Sequence, residues 1–244
     1  LKSIGIEVKD GDRWRTVSEL SDEEKKKLVE AIIPHVTDQQ HAEESLDELI
    51  APVYVLTKED EFSQLRDARE LGTLLNACGR TGRSSVAIAL CLGERGKYLS
   101  ESVKVLSDYR QTLSKCIKSF ENEERLTDKR SFVIASGDNV VDEDMVGAVA
   151  SVLSSTPKFR GKMLVLHAPS KDGGTKVSAR RPPEMIKINL GDLLKKLAVK
   201  CKGVGGGHSA AAGAKIPAGN IENFLKLLVG EMTIQVDGKN KARS

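Results

Sequence analysis

Three short stretches hold residue types that can do chemistry. The first is Gly205-Gly206-Gly207-His208, followed by Ala210-Ala211-Ala212-Gly213. Glycine has no Cβ, so successive backbone N–H groups there can close on an anion, and His208 can donate a further hydrogen bond to a phosphate or carboxylate. A glycine triplet by itself favours a plainer reading, a flexible turn with an exposed histidine. It is not a P-loop, because no Gly-Lys-Ser/Thr follows, and it lacks the G-x-G-x-x-G turn of a dinucleotide site. The second stretch is Ser178-Ala179-Arg180. Strand alternation puts Ser178 and Arg180 on one face, where a guanidinium can grip phosphate with two parallel hydrogen bonds; the alternative is an ordinary edge arginine. The third is Asn76-Ala77-Cys78-Gly79-Arg80, where Arg80 and Arg83 flank glycines. Its alternative is an interhelical turn with Arg80 tied to Asp67 or Glu70.

Other chemistries lack their residues. His35, His41, His167 and His208 form no H-E-x-x-H, no serine lies in G-x-S-x-G, and Cys78, Cys91, Cys116 and Cys201 have no C-x-x-C spacing. No carboxylate-rich cluster suits two divalent cations. No catalytic and no metal-ligating residue is therefore assigned. Cys91 and Cys116 fall in helical apolar patterns and are expected to be buried, reduced thiols, which fits a cytoplasmic location.

Composition bounds the class. The chain has 244 residues, 39% of them hydrophobic and 30% charged, as in a soluble globular protein rather than a disordered or collagen-like one. No apolar run is long enough to span a membrane. The start, Leu1-Lys2-Ser3-Ile4, has neither a signal-peptide pattern nor an initiator Met, as expected of a piece of a longer chain. Net charge is +3, but Lys158 to Lys202 holds twelve Lys and Arg against three acids, a local +9 in an otherwise acidic chain. That is the footprint of a polyanion site, although a charge run alone more often marks a solvated helix face.

The elements that must position these residues change character near residue 130. The first 130 residues read as helical. Ser21 to Glu24 has capping-box spacing ahead of a helix that Pro34 ends, and Thr37 to Leu49 repeats the pattern. Further helices are expected over 61–77, broken at Gly79 and Gly82, then after Ser84 or Ser85, then over a long stretch from Ser100 to Arg125. Beyond lie strands at 131–135, 162–168 and 174–180, helices at 142–153, 190–199 and 217–229, a glycine-rich loop at 203–208, a strand over 210–216 and a last strand at 232–236. The fold class is α/β (α+β): an N-terminal helical region with a long linker helix, then an α/β sandwich with a mixed sheet. The expected domains are 1–60, a helical region; 61–130, a helical connector; and 131–240, the α/β domain.

The order of these motifs resembles the C-terminal half of archaeal RecJ-like proteins of the DHH phosphoesterase superfamily, over roughly residues 65 to 230. Asn76-Ala77-Cys78-Gly79-Arg80, Ser85-Val86-Ala87, Met145 to Ser151, Ser178-Ala179-Arg180 and Gly205-Gly206-Gly207-His208 with Ala211-Ala212-Gly213 carry the resemblance. It implies that 131–240 is a DHH-associated domain that grips single-stranded nucleic acid or an oligonucleotide. Arg180, Gly205, Gly206, Gly207 and His208 would bind phosphate, with Ser178 supporting and Arg80 near the cleft. It implies a metal-dependent single-strand exonuclease as the whole protein, whose manganese or magnesium belongs to a DHH domain. The chain departs from the family in having no Asp-His-His motif, so no cofactor is expected in this chain. The alternative is a catalytically silent binding subunit of an archaeal replication complex, partnered by GINS and the replicative helicase.

Overall fold

A computed structural model describes residues 2–15, 17–35, 52–60, 63–129, 131–185 and 187–237. The chain divides into two compact units, Leu1–Leu71 and Gly72–Ser244. In the first, β1 (Lys9–Asp10) and β2 (Arg13–Trp14) form a hairpin turned at Gly11, and α1 spans Asp22–Ile32. The capping box is present: Ser21 Oγ accepts from Glu24 N at 3.2 Å, and the Glu24 carboxylate accepts from Ser21 N at 2.8 Å. Arg15 grips the same carboxylate with both terminal nitrogens, at 2.9 and 2.7 Å. The helix expected over 37–49 lies outside the described residues.

Helix α2 (Ala68–Arg80), most of which belongs to the second unit, begins seven residues after the expected start and runs through Gly79. Gly82, at φ 71°, follows in the turn beyond it. Next come α3 (Ser84–Cys91) and the long α4 (Lys97–Ser119), which turns Val105, Leu106, Tyr109 and Cys116 inward at steps of one, three and seven. Cys116 is buried, as expected, but Cys91 is exposed. The buried positions of α3, Val86 and Leu90, are one turn apart, and Cys91 falls off that stripe.

A six-stranded sheet follows, in the order β3-β4-β5-β6-β8-β7. Its strands are Leu126–Asp128, Phe132–Ser136, Met163–Pro169, Thr175–Arg180, Val204–Gly207 and Ala211–Ile216, numbered β3 to β8 in chain order. Only β4 and β5 run parallel, joined through α5 (Val146–Ser154); the other pairs are antiparallel. This is the mixed α/β arrangement the sequence pattern implies. Residues 143–145 form a turn, and α5 starts at Val146 rather than at Asp142.

Alternation gives the sheet two faces. On one, Phe132, Ile134, Met163, Val165, Val177, Ala179, Ala212 and Ala214 pack with Leu190, Leu194 and Leu197 of α6 (Leu190–Lys200) and with Phe224, Leu228 and Met232 of α7 (Ile221–Asp237). The last three are four residues apart, so one stripe of α7 stays in the core past the expected helix end. The strand expected at 232–236 is therefore the end of α7. The other face carries α5 over β5 and β6, with α4 behind it.

The glycine run also departs from expectation: 204–207 is a strand, β7, at the sheet edge. Its glycines let α6 lie on it backbone to backbone. A Cβ on Gly191 would sit 2.4 Å from the Gly207 carbonyl oxygen, and one on Gly205 would sit 2.7 Å from that of Leu194. Neither backbone can yield without separating helix from strand. Gly191→Ala and Gly205→Ala are each expected to destabilise the chain by about 1–3 kcal/mol. Gly79→Ala, in open space within α2, should gain up to about 1 kcal/mol. Urea midpoints at unchanged m value check both expectations.

Candidate functional site

Strand β6 carries Ser178 and Arg180 on the face that looks toward α5. The Arg180 guanidinium is half-buried and bonded to two elements at once. Its Nε donates to Ser151 Oγ at 3.0 Å, and Nη2 donates to the Gly147 carbonyl at 3.0 Å, both in α5. Its Nη1 donates to Ser178 Oγ at 2.8 Å and to the Ala179 carbonyl at 2.9 Å. A guanidinium has five N–H groups, so one remains, on Nη2. The two-pronged grip expected of Arg180 alone is thus not on offer.

The missing donors come from Arg80, at the end of α2. Its Nε donates to Asn76 Oδ1 at 3.2 Å and its Nη1 to the Asp144 carbonyl at 3.3 Å, leaving three N–H groups. The two guanidiniums converge on Gly147: a Cβ there would lie 3.9 Å from Arg180 Nη2 and 3.9 Å from Arg80 Nη1. Neither arginine has a carboxylate partner among the described residues. The Asp144 side chain is held by Lys171 Nζ at 2.6 Å instead. Burial, and then the charge of Arg80, push Arg180 below the ordinary arginine pKa, but a guanidinium stays protonated at neutral pH. The tie to Asp67 or Glu70 considered for Arg80 is replaced by these contacts. Gly147 and Ser151 fall in the Met145–Ser151 motif that carries the resemblance, but the sequence reading gave them no role in the site. Their signal is a glycine and a serine four apart, hence on one face of α5.

The strand register brings the glycine-histidine stretch to the same end of the sheet. Arg180 pairs with Ala211, and Ser178, Gly213 and Gly206 form one row across three strands. A Cβ on Gly206 would meet nothing within 4 Å, so this part of the sheet is open floor. Gly205 and Gly207 belong to the opposite, α6-facing side. His208 is exposed, and its loop is clamped by the start of α6: Leu190 N donates to the Ser209 carbonyl at 3.0 Å and Gly191 N to the His208 carbonyl at 3.1 Å. Asp192 N is capped by Asn189 Oδ1 at 3.3 Å. These donors hold the loop rather than an anion. Arg181 Nε adds a bond to the Ser209 carbonyl at 2.9 Å. On the open face, Lys176 is exposed and Lys215 pairs with Asp172 at 2.7 Å.

Among the described residues no group of three or more His, Cys, Asp or Glu converges as a metal site would require. They do not fit a manganese or magnesium ion. No described helix is long and apolar enough to cross a membrane.

Residues 129–233 match the DHHA1 domain family, and residues 1–50 match the DHH-CID domain family. An uncharacterised protein of Methanocaldococcus jannaschii is 27% identical over 227 residues, which cover 93% of this chain and 45% of that protein. The chain thus spans about half the length of this curated relative. Among solved structures, RecJ of Thermus thermophilus in complex with Mn2+ superposes with a TM-score of 0.52 at 17% identity, covering 65% of this chain and 23% of RecJ. At that identity the likeness is one of fold. The same RecJ with Mg2+ gives a TM-score of 0.48 at 16% identity, covering 65% and 24%.

Asp172 reports on the hairpin between β5 and β6. The hydrogen bond from Lys215 is the chief cause holding its carboxyl at about 2, below the ordinary 3.8. Its contribution to stability is therefore complete above about pH 4 and lost as pH falls toward 2. Carboxyl NMR titration should find Asp172 near that value, and Lys215→Ala should return it upward.

Proposed function

We propose that this chain, which belongs to the DHH superfamily as a RecJ-like C-terminal region with a DHHA1 domain, binds the sugar-phosphate backbone of single-stranded nucleic acid or an oligonucleotide. The observation that carries this reading is the Arg80–Arg180 pair: two guanidiniums converging on Gly147 with no carboxylate partner among the described residues. A phosphate seated there relieves their mutual repulsion. It takes the one free N–H of Arg180 and those of Arg80, while Ser178 and Ser151 keep Arg180 from swinging to meet it. His208 stands at the same end of the sheet to meet a neighbouring phosphate. Aromatic content is 4%, so stacking contributes little and phosphate contacts dominate, which makes binding sequence-independent.

In the whole protein this grip would serve metal-dependent phosphodiester hydrolysis, with the ion supplied by a DHH domain and none of the residues described here acting on the reacting bond. A cytoplasmic setting is part of this reading. The second reading, a catalytically silent subunit of an archaeal replication complex with GINS and the helicase, is favoured by the apolar side chains that α3 and its cap leave uncovered, Ile88 at 60% and Leu92 at 80% exposure. Manganese-dependent digestion by the intact protein separates the two.

Fluorescence anisotropy with a labelled single-stranded oligonucleotide tests the grip. Arg80→Ala, Arg180→Ala and His208→Ala should each weaken binding by about 1–3 kcal/mol. Each arginine removed should also flatten the slope of log K against log salt by about 0.7. Full affinity in both arginine variants would refute the assignment.

A further inference from the structure

The opposite face of the sheet holds a second concavity, about 410 Å3 in volume, between α7 and the β3–β4 edge. Ligand pockets commonly hold about 300–1,000 Å3. This one lies at the carboxyl ends of β4 and β5, the parallel pair, which is where open α/β sheets receive ligands. Ser136 and His167, paired in register, stand near the ends of those two strands and line it. Arg180 and Ser178 belong to the other face, so the two sites share no side chain.

Its lining sorts by chemistry. Ile134, Leu225 and Val229 make an apolar wall. Arg125 and Lys226 supply positive charge at the rim, and neither has a carboxylate partner among the described residues. One Arg125 Nη1 hydrogen goes to the Asp138 carbonyl at 2.9 Å, which fixes the side chain and leaves the outer edge of the guanidinium free. Among the described lining residues Glu124 is the one carboxylate, and its Oε2 accepts weakly from Asn122 Nδ2 at 3.5 Å. The His167 imidazole has no hydrogen-bond partner among the described residues. Burial pushes its pKa down, against a smaller opposing effect of Asp138, so at neutral pH it offers one donor and one acceptor. Ser136 Oγ accepts from Asp138 N at 3.4 Å and keeps its proton to donate.

We propose that this pocket binds a small organic anion, a phosphate monoester or a carboxylate with an apolar body of about nucleoside size. The body rests on Ile134, Leu225 and Val229, the anionic group meets Arg125 and Lys226, and His167 with Ser136 read a polar atom at the inner end. The wall excludes a bare inorganic anion as the preferred ligand, since it would leave that apolar surface wet. The two cations exclude a neutral nucleoside for the converse reason.

The test is calorimetric titration of the 244-residue chain with adenosine 5′-monophosphate and, separately, with 1-naphthoate; adenosine and inorganic phosphate serve as controls. At least one of the two amphipathic anions should bind with a Kd of about 1 mM or tighter, and both controls about tenfold more weakly. The stronger probe identifies the anionic group as phosphate or carboxylate. Val229→Phe, which fills the cavity, and Lys226→Ala, on the surface of α7, should each weaken that probe by about tenfold or more. Val199→Ala, an exposed position on α6 outside the lining, should leave it unchanged. The surface variant keeps the test valid if the cavity variant fails to fold. Binding by neither probe would overturn the proposal, as would binding that Lys226→Ala leaves at full strength.

Discussion

Arg180 ties the sheet to the helix that crosses it. Its guanidinium reaches Ser178 Oγ and the Ala179 carbonyl on β6, and Ser151 Oγ and the Gly147 carbonyl on α5. A half-buried charge needs such partners, because desolvation without them is costly. In meeting that need the chain fixes the charge in one orientation. Arg80 then approaches over Gly147, where the lack of a side chain leaves room. The positive centre is thus assembled from a helix end, a helix first turn and a strand end, far apart in sequence.

A second constraint shapes the other end of the glycine run. Helix α6 lies on β7 with backbone against backbone, and its first N–H groups hold the His208–Ser209 carbonyls. The glycines therefore divide their work by face. Gly205 and Gly207 belong to the side that packs on α6, whereas Gly206 opens on the side where Ser178 and Arg180 stand.

Much of this was legible from residue types. The Ser21 capping box, α6, and the strand bearing Ser178 and Arg180 follow from local pattern, because caps and periodic apolar stripes are local physics. Glycine carries no side chain to alternate, so β7 reads as a loop; its strand character comes from pairing with β8 and from α6 above it. Thr233, Ile234 and Val236 suggest a strand by propensity, but Phe224, Leu228 and Met232 keep one helical stripe in the core, and packing prevails. Gly147 and Ser151 stand in a motif of the resemblance yet receive no role from sequence, because one site contact is a backbone carbonyl, which any residue type can supply. The pocket beneath α7 is equally hidden, since it joins residues from separate segments of the chain.

The absence of a counter-charge to Arg80 and Arg180 among the described residues makes ionic strength act in two directions. Mobile ions screen the repulsion that the bare pair imposes on the fold, so added salt favours the unliganded chain at this spot. The same ions compete for the pair once a phosphate is present and favour its release. Low-salt surroundings therefore pose the sharpest choice, between two cations left to repel each other and a bound anion that satisfies both.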